Sequence, residues 1–224
     1  MASTGDKKSI KDNIAGFITG RWQILTGTII GIIGLIVIIA VVTFINAGKE
    51  NEAVLKAEKI QDLYSDYSAA EDDQKTKLRQ EIEQIYDELT GKFPRTYGAQ
   101  RAIFVMANIY FDEKEWDKSA QDFSIIGEKF PDSYLAPVCL MNAAAAYEEN
   151  GKNEQALEMY KKVMKDYKNA PLAPKAYFSA ARLTETADSK DEAIAIYQDI
   201  LKEYPTSNWT KFARTRIIQL ENEN

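Results

Sequence analysis

Two short carboxylate-rich runs are the first places in this chain of 224 residues where chemistry could be expected. Acidic residues cluster at positions 71–73 (EDD) and 148–150 (EEN), where they could suggest a calcium site. A calcium-binding loop needs the spacing Asp-x-Asp-x-Asp-Gly, and the sequence does not contain it. We therefore interpret both clusters as solvated helix ends.

The groups on which most enzymes depend are missing from the sequence. It contains no histidine, which removes the commonest general base and the commonest metal ligand. Cys139 is the single cysteine, so it cannot form an internal disulfide, and it does not follow a signal sequence where a lipid could be attached. The sequence also lacks a Ser-His-Asp or Cys-His arrangement and a phosphate-binding loop. These observations predict a protein that is not an enzyme and that uses no metal or cofactor.

The longest apolar segment lies near the N-terminus. No charged residue occurs from Ile24 to Ile45, a length that covers about 33 Å as a helix and is enough to cross a bilayer. A cleaved signal peptide is the alternative, but its apolar part spans only ~7–15 residues, and "FINAGKE" offers no A-x-A cleavage site. We therefore predict a retained transmembrane helix at 24–46. Gly27 and Gly31 form a GxxxG motif that could dimerise this helix, which would make the protein a homo-oligomer.

Charges on the two sides of this segment indicate its orientation. The N-terminal flank carries Lys7, Lys8, Lys11 and Arg21, and the opposite flank carries Lys49, Lys56 and Lys59. This small bias favours a cytoplasmic N-terminal segment at 1–23, and a large C-terminal domain translocates largely regardless of charge. We expect a single-pass membrane protein; in a bacterium its anchor would lie in the inner membrane and its C-terminal domain in the periplasm. Within 1–23, the spacing of Ile10, Ile14, Phe17 and Ile18 is that of one face of a surface-lying helix. A disordered tail is an equally good interpretation of this segment.

The remainder of the chain is acidic. Residues 24–224 carry 24 basic and 32 acidic side chains, a net charge of −8. Such a domain is poorly suited to bind a phosphate backbone, so we expect no nucleic-acid partner.

One short sequence motif recurs in this acidic part of the chain at a fixed interval. An aromatic residue closes a segment every 37 residues, at Phe93-Pro94, Phe130-Pro131, Tyr167-Lys168 and Tyr204-Pro205. A fixed period between 20 and 50 residues is typical of a solenoid in which one supersecondary unit is repeated.

The same register holds inside each unit. Another aromatic residue lies seven residues before each closing aromatic. Four residues before that second aromatic lies a residue that is small in three of the four units. The resulting pairs are Ile82 with Tyr86, Ser119 with Phe123, Ala156 with Tyr160, and Ala193 with Tyr197. Nine residues before the last three of these small positions lie Tyr110, Tyr147 and Thr184. A small residue lets two antiparallel helices approach, the aromatic fills the space beside it, and proline prevents the helix from continuing. This spacing resembles that of a tetratricopeptide repeat.

The pattern predicts an all-α solenoid of helical hairpins. We expect a degenerate first hairpin within 47–94, with Leu55, Ile60, Leu63 and Tyr67 on one helix face. Tetratricopeptide repeats should fill 95–224, at about 97–131, 134–168 and 171–205, and a capping helix should close the array. Hydroxyl residues are placed to cap the next helix after three of the four boundaries, at Thr96, Ser133 and Ser207.

The first helix of each hairpin should line a concave groove that binds a partner. Three rows of residues recur there every 37 positions: Phe104, Met141 and Phe178; Asn108, Ala145 and Arg182; and Arg101, Val138 and Lys175. An apolar stripe with a basic rim would suit a peptide with apolar anchors and some acidic character. Packing against the neighbouring hairpin would explain the apolar residues equally well.

The whole layout is similar to membrane-anchored tetratricopeptide proteins of Gram-negative envelopes, and it most resembles the ancillary SecYEG translocon subunit family. The resemblance is carried by the apolar segment, by "AVLKAEKIQDLYSDYSAA" at 53–70 and by "TYGAQRAIFVMANIYFDEKEWDKSA" at 96–120. The repeats are also similar to the lipoprotein subunit of outer-membrane β-barrel assembly and to the cell-division coordinator, although this chain has a transmembrane segment instead. The resemblance implies contact with the translocon and with periplasmic chaperones.

These observations favour a membrane-tethered adaptor that docks proteins or peptide segments on a periplasmic repeat surface near the secretion machinery. Two alternatives remain open at this point. One is a structural scaffold in a larger envelope assembly, and the other is an import receptor anchored by its N-terminus to an organelle surface.

Overall fold

The computed structural model describes residues 22–187 and 189–222. The N-terminal segment, with its predicted amphipathic face, lies outside these residues apart from its last two. Contacts divide the chain into two units, Met1–Lys49 and Glu50–Asn224. All regular structure in the described residues is helical, which confirms the predicted all-α fold.

Helix α1 runs from Trp22 to Ala69 and contains the predicted membrane span. From Thr26 onward it is long and apolar enough to cross a membrane, and none of its most apolar segment is buried among the residues that the structure describes. The same length and composition also fit a signal sequence. The retained span at 24–46 and its orientation therefore stay predictions.

The second unit is a series of antiparallel helices joined by short turns. The C-terminal part of α1 packs with α2 and α3 in one apolar cluster. The helices that follow contact one another in chain order, and pairs of consecutive helices form the hairpins. Their bounds are α2 Asp72–Lys92, α3 Tyr97–Asp112, α4 Trp116–Lys129, α5 Ala136–Glu149, α6 Asn153–Asp166, α7 Ala173–Thr186, α8 Lys190–Glu203 and α9 Asn208–Asn222.

The repeated pairs of small and aromatic residues lie at the centre of each hairpin. Ala156 and Ala193 are completely buried, and the aromatic rings one turn further on are at most 4% exposed. At Ser119 a hydroxyl replaces the methyl group, and it donates a hydrogen bond of 2.8 Å to the carbonyl oxygen of Ala107 on the facing helix. Burial of each pair therefore fixes how closely the two helices of a hairpin approach.

Each closing aromatic ends a helix, and the two closing aromatics that are tyrosines also link two boundaries. The N–H of Tyr167 still donates to Val163, but its φ of −129° and ψ of 33° take the chain out of the helix. Its hydroxyl donates to the carbonyl oxygen of Pro131, 2.9 Å away, and Tyr204 repeats this bond to Lys168 at 2.7 Å. Successive boundary loops are thus tied at the period of the repeat.

Two of the three predicted helix caps form, and one does not. Thr96 caps α3, since its hydroxyl accepts a hydrogen bond from the N–H of Ala99 at 3.2 Å. Ser207 directly precedes α9 and accepts from the N–H of Trp209 at 3.2 Å. The cap predicted at Ser133 is wrong. Helix α5 begins only at Ala136, and the Ser133 hydroxyl accepts from Leu135 within the turn that comes before it.

The last helix has a different composition on its outer side. Leu140 and Tyr147 of α5 belong to the core cluster, in which Leu140 is buried and Tyr147 is half-buried. In α9 the corresponding positions, two repeats later, hold Arg214 and Glu221, which are both exposed. Charged residues are what a terminal repeat needs where it meets water. The capping role of α9 stays a prediction.

The predicted face of the first hairpin is partly wrong. Ile60 and Tyr67 are buried as expected, but Leu55 is 67% exposed. Ala53 and Ala57 make the close contact instead, and both are buried. The reason is the approach of α3, because the backbone of Gly98 lies against Ala53.

Gly98 provides a test of this close approach. A β-carbon at Gly98 would lie 2.3 Å from the carbonyl oxygen of Ala53, so Gly98→Ala requires a shift of the backbone. Overpacking of this kind should lower the free energy of unfolding by at least about 2 kcal/mol. Urea unfolding of the full chain in detergent micelles, followed by circular dichroism, would measure the loss.

Gly91→Ala is the matched control, since a β-carbon there meets no atom within 4 Å and lies near the end of α2. The gain in helix propensity should leave this variant unchanged or more stable by up to about 1 kcal/mol. Equal stability of the Gly98→Ala variant and the unmodified chain would contradict the described contact between α1 and α3.

Candidate protein-binding face

The candidate face is formed by the first helix of each hairpin, α3, α5 and α7, and is continued by α9. The row that begins with Arg101, Val138 and Lys175 reaches Phe212 of α9 after a further 37 residues. Val138 is half-buried, and both Lys175 and Phe212 are exposed. This row offers the most accessible surface of the three.

The predicted apolar stripe is largely used for packing. Met141 is 8% exposed and belongs to the core cluster. Phe104 is half-buried with its ring edge-to-face against Phe123, at a centroid distance of 6.0 Å. These two positions therefore contribute little surface to a groove.

Phe178 behaves differently because α9 lies beside it. Its ring centroid is 5.1 Å from that of Trp209 and 6.3 Å from that of Phe212. Phe178 and Trp209 are half-buried, whereas Phe212 remains 57% exposed. The apolar surface of the face is thus concentrated at its C-terminal end.

Two of the predicted basic residues already have partners. The Arg101 guanidinium donates to Gln61 and lies over the Phe104 ring, 5.8 Å from its centroid. Arg182 forms an ion pair with the carboxylate of Glu148. Lys175 is exposed, and the described residues provide it with no ion-pair partner.

The polar row between them has mixed roles. The Asn108 amide donates to the Phe104 carbonyl oxygen at 2.6 Å, one turn back in α3. Ala145 is half-buried. Neither side chain extends far enough to anchor a partner by itself.

Two carboxylates on this face were not predicted to belong to it, and the interpretation of Glu148 as part of a solvated helix end is wrong, since its side chain is 21% exposed and ion-paired. Glu148 accepts from the Tyr160 hydroxyl at 2.7 Å as well as from Arg182. Glu185 repeats the arrangement 37 residues later, with Tyr197 at 3.3 Å and Arg216 at 2.9 Å. Each carboxylate therefore joins both helices of its own hairpin to the helix that follows that hairpin. The hydrogen bonds from Arg216 hold the pKa of Glu185 below its usual value. The period of 37 shared by these glutamates and tyrosines was the signal available in the sequence.

One buried carboxylate lies away from the face, on α4. Asp122 is 6% exposed, and one of its oxygens accepts from the Tyr86 hydroxyl at 3.1 Å. The other oxygen has no hydrogen-bond partner among the described residues. Burial therefore raises the pKa of Asp122 to about 6, although the Tyr86 bond opposes the shift.

The single thiol is chemically protected. Cys139 is fully buried in the core, and burial raises its pKa to about 12, so almost no reactive thiolate exists near neutral pH. In the part of the chain that the structure describes, no group of three or more His, Cys, Asp or Glu residues is placed to hold a metal ion.

A stack of two-helix repeats with an accessible row along its first helices defines an α-solenoid of the protein-interaction class. The chain matches the family model of the tetratricopeptide repeat-like domain over residues 22–166 and that of the tetratricopeptide repeat over 141–208. It belongs to the tetratricopeptide repeat-like family. Domains of this kind bind proteins or peptides.

Comparison with individual proteins adds little detail. The tetratricopeptide repeat domain of Arabidopsis OM64 is similar at 22% identity and a TM-score of 0.43, over 54% of this chain and 95% of that domain. No curated protein sequence matches the chain.

Asp122 generates a prediction about pH. Its folded pKa of about 6 lies above the value of 3.8 for an ordinary aspartate, so its contribution favours the folded state below pH 4 and is lost as the pH rises through 6. A shift of two units corresponds to about 3 kcal/mol. Above pH 6, Asp122→Asn should therefore be more stable than the unmodified chain by about 1–3 kcal/mol.

Urea unfolding of both full-length proteins between about pH 3 and pH 8 would measure this difference. The two proteins should differ least near about pH 3, where Asp122 is mostly protonated in both the folded and the unfolded state. Asp132→Asn, at an exposed loop position, serves as the control. A stability difference that does not change with pH would be inconsistent with a carboxylate that is desolvated in the folded state.

Proposed function

We propose that this protein is an adaptor of the bacterial envelope, tethered to the inner membrane by α1 and docking partner proteins on a periplasmic repeat surface. The observation that carries the proposal is an apolar helix in the same chain as a solenoid with an accessible row along its first helices, at Val138, Lys175 and Phe212. Family membership supports the binding role, because tetratricopeptide repeats bind proteins or peptides.

Location near the secretion machinery is the finer part of the proposal. It is supported by the sequence resemblance to ancillary translocon subunits, which implies partners among the translocon and the periplasmic chaperones. An acidic domain with net charge −8 is consistent with protein rather than nucleic-acid partners.

Crosslinking in living cells tests the adaptor role. A photoreactive amino acid at Val138 should capture specific envelope proteins, because this position is partly accessible on the candidate face. The matched probe at Gln198 is exposed on α8, outside that face, and should capture few of them. If neither probe captures an envelope protein in a Gram-negative host, the adaptor proposal is wrong.

The buried thiol makes a topology test straightforward. Because Cys139 is shielded, an impermeant maleimide should label the chain only after Gln155→Cys supplies an exposed thiol on α6. With a periplasmic domain, labelling requires permeabilisation of the outer membrane but not of the inner membrane. Labelling only after rupture of the inner membrane would place the repeats in the cytoplasm and exclude the envelope proposal.

A structural scaffold is a second candidate, and one observation favours it. Met141 and Phe104 are engaged in packing, so much of the predicted groove is used to hold the stack together. A scaffold would retain its partners when Val138, Lys175 and Phe212 are all replaced, whereas an adaptor that binds through this row would lose them. Co-purification from mild detergent with and without these replacements separates the two roles.

A further inference from the structure

Three aromatic side chains form what we call the α9 aromatic patch: Phe178, Trp209 and Phe212. Trp209 and Phe212 have ring centroids 5.7 Å apart, and both lie beside Phe178 of α7. Phe212 is 57% exposed, so the cluster is open to solvent on one side.

The position of the patch makes its exposure informative. A capping helix is expected to carry polar residues where it meets water, and Arg214 and Glu221 follow that rule on the outer side. Phe212 breaks it on the side that continues the row of Val138 and Lys175. Clustered, partly exposed aromatic rings are characteristic of the anchoring centres of binding surfaces.

The charge beside the patch indicates what kind of partner fits it. Lys175 lies one helical turn before Phe178 and 37 residues before Phe212, and it is exposed. In the described part of the chain no carboxylate pairs with it, although Glu148 neutralises Arg182 nearby. Lys211, adjacent to Phe212, is exposed as well. The patch is therefore bordered by positive charge even though the domain as a whole is acidic.

We propose that the α9 aromatic patch binds peptide segments that carry an aromatic or large aliphatic anchor next to a carboxylate. The anchor packs on Trp209 and Phe212, and the carboxylate pairs with Lys175. The inference rests on the proposed adaptor function and specifies the class of segment that the adaptor recognises at this end of the face.

Fluorescence anisotropy with labelled synthetic peptides and the full chain in nanodiscs tests the proposal. The probe is a peptide of Gly and Ser with a central Trp-Phe pair flanked by Asp and Glu. Two comparison peptides replace the acids by their amides or the aromatic pair by alanine. We expect the acidic aromatic peptide to bind at least about tenfold more tightly than either comparison peptide.

Substitutions then localise the site. Phe212→Ala and Lys175→Glu should each weaken binding of the acidic aromatic peptide by about tenfold or more. Two controls should change it by less than about twofold: Ile218→Ala removes an exposed apolar side chain from the same helix, and Lys165→Glu reverses an exposed charge on α6. Melting curves of all four variants confirm that folding is intact.

The possible outcomes separate this proposal from the adaptor function. Equal binding of the amide peptide, normal binding by Phe212→Ala, or no binding of any peptide would overturn the assignment of the patch. Crosslinking of a probe at position 212 to a second copy of the chain would also overturn it, by assigning the patch to self-association. In each of these cases, capture of envelope proteins by the probe at Val138 would leave the adaptor function standing.

Discussion

Contact between a small side chain and an aromatic ring inside each hairpin is the constraint on which the structure depends. Ala156 and Ala193 are fully buried, and a larger group at either position would push the paired helices apart. Because the three hairpins formed by α3 to α8 share this pair of residues, the packing of their helices is repeated, and with it the spacing of the residues on the candidate face. A binding surface with a regular period is thus a product of core packing.

The links between repeats decide which charges remain available to a partner. Glu148 and Glu185 each bind a tyrosine of their own hairpin and an arginine of the next helix. Arg182 is predicted from the sequence to be a groove residue, but its charge is neutralised by the ion pair with Glu148. Lys175 stays accessible, so the electrostatic character of the face comes from one row of residues and not from its total count of basic side chains.

Much of the fold could be predicted from the sequence because the period of 37 residues is carried by residues with a clear geometric role. Small residues, aromatic residues and prolines each have one plausible position in a hairpin, and the all-α solenoid follows from them. The burial of Phe104 and Met141 was harder to predict, because a periodic apolar residue on a helix can face either a groove or a neighbouring helix. Their burial depends on the angle between hairpins, which no single segment encodes. Leu55 was misplaced for a similar reason, because the contact of Gly98 with Ala53 rotates the buried face of α1 away from it.

The composition of α9 also affects what could stack on it. Arg214 and Glu221 are exposed at the positions where α5 holds the buried Leu140 and the half-buried Tyr147. A hairpin or a second copy packed over these two side chains would have to strip water from both charges and supply each of them with a partner. The cost of desolvating these charges would therefore oppose such a contact unless the incoming surface carried matching charges.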